Sequence, residues 1–398
     1  ELGDHRGAIS ALISMAYAHV TDPTPRGMAG RLEHIRALHN SKRGEVTDSQ
    51  RATEDALMLY SIHVFARTNL QPDLAVERGR QAFEAARAMG DRWLECLAAG
   101  GVAMTYVSFG SIDDADAWLD QAAEAAMSVP STSMARRLEM WRGALCALRG
   151  EAEQMTTHFE RAAEHAGHKN LAGRAAAYAA LAIESARLGV TTADDALITQ
   201  AKTAATQTLD SIRPLPGDLP WEAVAHAALS VVAQAEGNTE EAAEEARLAL
   251  SIDGDTHVPD YLDVLWAAGR TLITQGEPEA DELKQEVFGA FMYAHMSIND
   301  PDIKSKWFGV PAHRELAEMV GFEAPETWQE GEMDTVDLSD DDLGLLRELA
   351  SGFSGARRST GNGRGADDEN TAALLAKLGV ESVTEAMEFA IKAGVTWQ

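Results

Sequence analysis

Cysteine is nearly missing from this chain: the 398 residues hold only Cys96 and Cys146. Neither belongs to a CxxC spacing, and both fall inside apolar stretches patterned as helix. Two buried free thiols in a reducing, cytoplasmic compartment fit that usage; a disulfide framework or a thiolate metal site does not. Alternating Val/Ile/Thr runs are also scarce, which argues against a sheet. No stretch of 18 apolar residues occurs, so no transmembrane helix is expected. Positive charge is short: 34 Lys and Arg face 63 Asp and Glu, for a net charge of −29. Such a surface keeps a protein soluble and repels phosphate backbones and anionic membranes, so neither DNA nor membrane is an expected partner of the whole. The G-x-x-x-x-G-K-[ST] pattern of a phosphate-binding loop is missing, and carboxylates are too evenly spread for one acid–base pair to stand out. No enzyme activity and no cofactor are expected. The chain begins at Glu1 without a charged-then-apolar leader, and Glu1-Leu2-Gly3-Asp4 has the helix-junction look of Met89-Gly90-Asp91. That likeness leads us to expect a fragment of a longer protein.

What the sequence has in quantity is helix-forming residues in a repeating arrangement. The stretch Asp91 to Pro130 holds an apolar helix from Leu94 to Phe109, a break at Gly110-Ser111, and a second helix opened by Ile112-Asp113-Asp114. Ala115, Leu119 and Ala122 then share one face. Two helices joined by so short a turn must lie antiparallel. Turn markers recur at Asp22, Asn69, Gly110, Gly150, Gly189, Gly237 and Gly276, with intervals of 47, 41, 40, 39, 48 and 39 residues. The two long intervals contain the polar stretch Asn40 to Ser49 and the proline-rich stretch Pro214 to Pro220. Gly101, Gly143, Ala180 and Gly269 are small residues placed to let a second helix approach a first. Ala115, Ala242 and Ala280 sit where the paired helices touch, and acidic pairs (Asp113-Asp114, Asp194-Asp195, Glu240-Glu241) complement the positive ends of the second helices. The expected fold is an all-α helix-hairpin solenoid of about seven repeats with a period near 40.

The spacing Tyr106-x3-Gly110-x4-Ala115-x3-Leu119-x2-Ala122 resembles the tetratricopeptide family, and its long, alanine-rich repeats resemble the MalT-like regions of large bacterial regulators. The resemblance covers roughly residues 1–300, and residues 1–320 are expected to form the solenoid with a helical cap built from Asp300 to Val320. A polar linker (321–337) leads to a tail (338–398). The tail opens on Leu338-Ser339-Asp340-Asp341-Asp342-Leu343 and ends near Lys377-Leu378-Gly379-Val380-Glu381-Ser382-Val383-Thr384-Glu385-Ala386. Both ends resemble the LuxR-type helix-turn-helix domain. Its middle departs from that family: Gly355 to Gly365 is too glycine-rich for a scaffold helix, and the recognition positions fall on Ala366, Asp367, Asp368, Glu369 and Asn370. Acids facing a phosphate backbone repel it, so DNA reading by the tail is expected to be impaired or lost.

Few residues suggest chemistry. His158, His165 and His168 lie close together, but no carboxylate completes a metal set, and histidines favoured near a helix C-terminus account for them. The expected site is instead the concave surface lined by first helices. In the family's register its inward positions are Leu59, His63 and Arg67, then Met104, Val107 and Met140, then Ile183, Arg187, Trp266 and Arg270. Methionine and tryptophan give adaptable apolar contact, and arginine holds a carboxylate or phosphate by two hydrogen bonds. One reading is a groove for a small anionic or amphipathic effector or a peptide end of a protein partner. The other is that the arginines pair with nearby acids while Met and Trp fill the core. The resemblance implies the signal-receiving part of a LuxR-family regulator. The alternatives are a protein–protein scaffold whose tail serves docking or homo-oligomerisation, and a domain regulating an upstream cyclase or ATPase module in cis.

Overall fold

The computed structural model describes residues 48–68, 71–129, 131–215, 219–252, 258–298, 300–322 and 368–378. Every regular element among them is helical. Five hairpins follow one another: α1 (Asp48–Thr68) with α2 (Pro72–Met89), α3 (Arg92–Ser108) with α4 (Ile112–Ala126), α5 (Thr132–Arg149) with α6 (Ala152–Ala166), α7 (Leu171–Thr192) with α8 (Asp195–Ile212), and α9 (Pro220–Ala235) with α10 (Thr239–Ser251). A sixth pairs α11 (Val258–Ala268), extended by a π-helical turn at Gly269–Ile273, with α12 (Ala280–Ser297). Two short helices, α13 (Pro301–Gly309) and α14 (Pro311–Val320), close the array, and α15 (Asp368–Leu378) is the described part of the tail. This is the all-α solenoid expected from the sequence. The Asp22 and Asn69 markers, the linker after Phe322 and most of the tail lie outside the described residues.

Local chemistry explains the hairpins. Asp91 caps α3 by accepting from the Leu94 N–H at 3.0 Å, and Asp194 caps α8 in the same way through Ala196 and Leu197. At the break between α3 and α4, Gly110 adopts φ +73°, a conformation that costs glycine little and other residues more. The marker at Gly189 needs correction. Gly189 lies within α7, where its missing side chain lets Ile198 of α8 approach: a Cβ there would stand 2.7 Å from Ile198 Cδ1. The left-handed turn comes at Ala193, with φ 54°.

Within each hairpin the contact is made by small residues. Ala115, Ala122, Ala242 and Ala246 are fully enclosed, so backbones come close and each buried methyl is matched by a neighbour. Gly143 performs its expected task, since a Cβ there would meet the Phe159 ring of α6 at 2.8 Å. Gly101 admits an earlier first helix instead: its position faces His63 of α1, while the adjacent Gly100 faces the Trp141 ring of α5. The middle of α3 is thus clamped from both sides, and Leu94 to Ala103 is buried on every face.

The hairpins stack in two layers. Each first helix packs on the next first helix, α1 on α3, α3 on α5, α5 on α7, α7 on α9 and α9 on α11, and each second helix packs on the first helix that follows it. Polar pairs repeat this register. Arg149 bonds Asp116 at 2.7 Å, Lys202 bonds Glu236 at 2.9 Å and Arg247 bonds Glu279 at 2.9 Å, each joining a second helix to the end of the next repeat's first helix or its turn. These pairs are exposed and contribute little energy, but they align neighbouring repeats.

The cap sits on the inner layer. Trp307 is fully buried against Phe291, Phe308 and His313, and Leu316 and Met319 of α14 lie 3.4 and 3.7 Å from the Cβ position of Gly269. The cap also reaches far back along the chain. The Lys306 carbonyl stands 2.9 Å from the Cβ position of Gly110, and Phe109 shares one buried cluster with Trp307. The last helices therefore return to the turn of the second described hairpin.

Candidate functional site

The sequence-derived groove positions divide into two groups. Leu59, Met104 and Val107 are partly buried against the core under α1 and α3, and Met140 lies against the Ala162, Ala163 and Ala177 cluster. His63, Ile183 and Trp266 are not on a surface: their exposures are 0, 3 and 1 %. His63 Nδ1 lies 2.7 Å from the Ala75 carbonyl, and its ring fills the space left by Gly79 and Gly101. Burial pushes its pKa down to about 4, so the ring is neutral. Arg67 is half-buried one turn further along α1, near enough to Tyr60 and His63 for its charge to act on both.

Arg187, Trp266 and Arg270 do come together, and the structure fills them from within the chain. The Arg187 guanidinium bonds Glu184 at 2.7 Å, bonds Asp263 as well, and lies 5.3 Å from the centre of the Trp266 ring. Burial opposes the charge on Arg187, but the two carboxylates outweigh it and raise its pKa. Burial also raises Glu184 and Asp263, against the pull of Arg187, because two enclosed carboxylates share one cation. Glu315 of α14 completes the group. It accepts from Trp266 Nε1 at 2.7 Å with one oxygen and from Arg270 with the other. Gln234 donates to the Arg270 carbonyl at 3.0 Å, fixing the π-helical turn against α9. Arg187 and Arg270 thus have internal acids where the groove reading expected an effector.

A second cation cluster escaped the sequence reading. Arg136 and Arg137 follow one another in α5, both half-buried, with both Nε atoms enclosed and unbonded. Among the described residues neither makes an ion pair or a side-chain hydrogen bond. Arg137 lies near Tyr60 of α1 and Cys96 of α3, because its charge acts on both, so it belongs to the first-helix layer. Burial and the neighbouring Arg137 charge lower the pKa of Arg136 to about 10. A signal was present in the sequence: α5 has no acid in its first turn, and Arg136 and Arg137 follow in the next.

The remaining expectations concern thiols and metals. Cys96 and Cys146 are buried and free; Cys96 Sγ lies 3.1 Å from Met134 Sδ, and burial pushes the two thiols up to about 12 and about 11. Neither is an activated nucleophile. His158 is held by Glu139 at 2.6 Å across the α5–α6 hairpin, and His226 by Glu245 at 2.6 Å across α9–α10. Among the described residues no group of three or more His, Cys, Asp or Glu could hold a metal ion, and no helix is long and apolar enough to cross a membrane. No protein-family model matches the chain, and no curated protein matches it either.

Proposed function

We propose that this chain is a signal-receiving and partner-binding solenoid, the sensor region of a bacterial regulator of the LuxR-family MalT-like kind, acting through its first-helix layer and not through catalysis. The observation that carries the reading is the layer itself. Consecutive first helices pack on one another and carry the partly buried Met104, Met140, Arg136 and Arg137 in an otherwise strongly acidic protein. Binding to such a layer would act by shifting how neighbouring hairpins pack.

A scaffold that binds only proteins is the second reading, and one observation favours it. The acids on Arg187 and Arg270 already neutralise those two guanidiniums within the chain. Native mass spectrometry of the purified chain, before and after mild denaturation, separates the two. A small mass lost on unfolding supports the sensor. A clean mass together with capture of a protein partner supports the scaffold.

A further inference from the structure

We propose that Arg136 and Arg137, at the start of α5, form a binding site for an oxyanion: a phosphate or carboxylate group carried by a small ligand. The inference rests on reading the first-helix layer as a receiving surface and names the ligand chemistry it takes.

Other arginines of the chain are engaged. Among the described residues the half-buried Arg78, Arg92, Arg142, Arg187 and Arg270 each have a carboxylate within 4 Å. Arg174 lies over the Tyr178 ring. Arg187 and Arg270 also leave Nε unbonded, but their terminal nitrogens are engaged. Among the described residues Arg136 and Arg137 make no ion pair or side-chain hydrogen bond, although acids outnumber bases almost two to one in the sequence. A protein with 63 acidic residues has no shortage of partners, so two adjacent cations left without one need a reason.

Placement adds a second line. Partly burying two like charges side by side costs free energy unless an anion joins them. The Arg136 pKa records that cost, through desolvation first and the Arg137 charge second. Both arginines sit in the second turn of α5, whose Ser131 cap accepts from the Met134 N–H. Two adjacent guanidinium forks offer the paired donors that a phosphate or a dicarboxylate accepts.

The test is a thermal-shift titration of the full chain with inorganic pyrophosphate and, separately, with citrate, each against sodium chloride at equal ionic strength. The expected result is a saturable rise in Tm with at least one of the two, and the more effective anion tells phosphate from carboxylate. Arg136→Gln/Arg137→Gln should weaken half-saturation by about tenfold or more. Without anion it should melt no lower than the wild type, because no ion pair is lost. Arg136→Lys/Arg137→Lys keeps the charge but loses the forks, and should bind more weakly than wild type. Equal shifts in wild type and the glutamine variant overturn the proposal, as does no shift beyond chloride with either anion. If the glutamine variant melts well below wild type without anion, the pair is structural and the proposal also fails. A co-purified small mass that persists in the glutamine variant keeps the sensor reading and overturns this site. Pyrophosphate or citrate binding lost in that variant, with no co-purified mass, keeps this site.

Discussion

The first-helix layer has a satisfied end and an unsatisfied one. Around α7 and α11, Arg187 is gripped by Glu184 and Asp263, Arg270 by Glu315, and Trp266 is sealed beneath them. Around α5, Arg136 and Arg137 are as enclosed as many paired arginines, yet have no partner among the described residues. The acid that completes the first cluster comes from the cap helix α14, which lies on that end of the layer. Arginine on a solenoid surface is thus not evidence of a ligand by itself. What decides is whether another part of the same chain has already supplied the anion.

The largest effect should come from removing the cap's anchor. Trp307→Ala leaves a cavity among Phe291, Phe308 and His313 and should cost about 3–5 kcal/mol, read as a lower urea midpoint. A loss below about 1 kcal/mol would mean that the cap does not seal the covered end of the layer.

Acidification comes next and acts on both ends, through His63 near the open end and His313 in the cap. Burial lowers both folded-state pKa values to about 4, against an ordinary value of 6.5. Between those values the unfolded chain binds protons that the folded one refuses. The stabilisation is therefore full above about pH 6.5 and is lost as pH falls toward 4, by up to about 3 kcal/mol per histidine. Urea midpoints measured from pH 7 to pH 5 should fall, and His313→Asn should remove part of the slope. A flat profile would contradict the neutral burial of both rings.

Two matched substitutions probe the two arginine clusters side by side. Arg187→Gln strands Glu184 and Asp263 together in a partly buried site and should cost about 2–3 kcal/mol, less than a fully enclosed pair because some solvent reaches it. Arg137→Gln should change stability by no more than about 0.5 kcal/mol. Equal losses would erase the distinction between the two clusters. The smallest effect belongs to Glu315→Gln, which can still accept from Trp266 Nε1 but no longer neutralises Arg270. About 1 kcal/mol is expected, together with a gain in pyrophosphate affinity at the covered end, measurable by calorimetry.

Much of the fold was legible because it is local. The helix spanning Arg92–Ser108, the break at Gly110 and the alanines at 115, 122 and 242 follow from period, turn residue and side-chain size within a few positions. Gly189 was misplaced for a related reason: a glycine that admits Ile198 and a glycine that ends a helix look alike in one dimension. The groove residues were harder. An inward count separates faces of a helix but not surface from core, so Ile183 and Trp266 were placed on a surface they lie beneath.

The sequence by itself determined that the chain is helical, paired into hairpins at a period near 40 and poor in cation, since each of these depends on composition or on residues within one or two turns. Only the tertiary structure decided which arginines are spent. Arg187 meets Asp263 across 76 positions, and Arg270 meets Glu315 across 45. The Lys306 carbonyl comes to rest on Gly110 of the second described hairpin. No local pattern encodes pairings between residues so far apart in the chain, because they depend on how successive helices pack, and that packing brings the cap's carboxylate to Arg270 and not to Arg136 or Arg137.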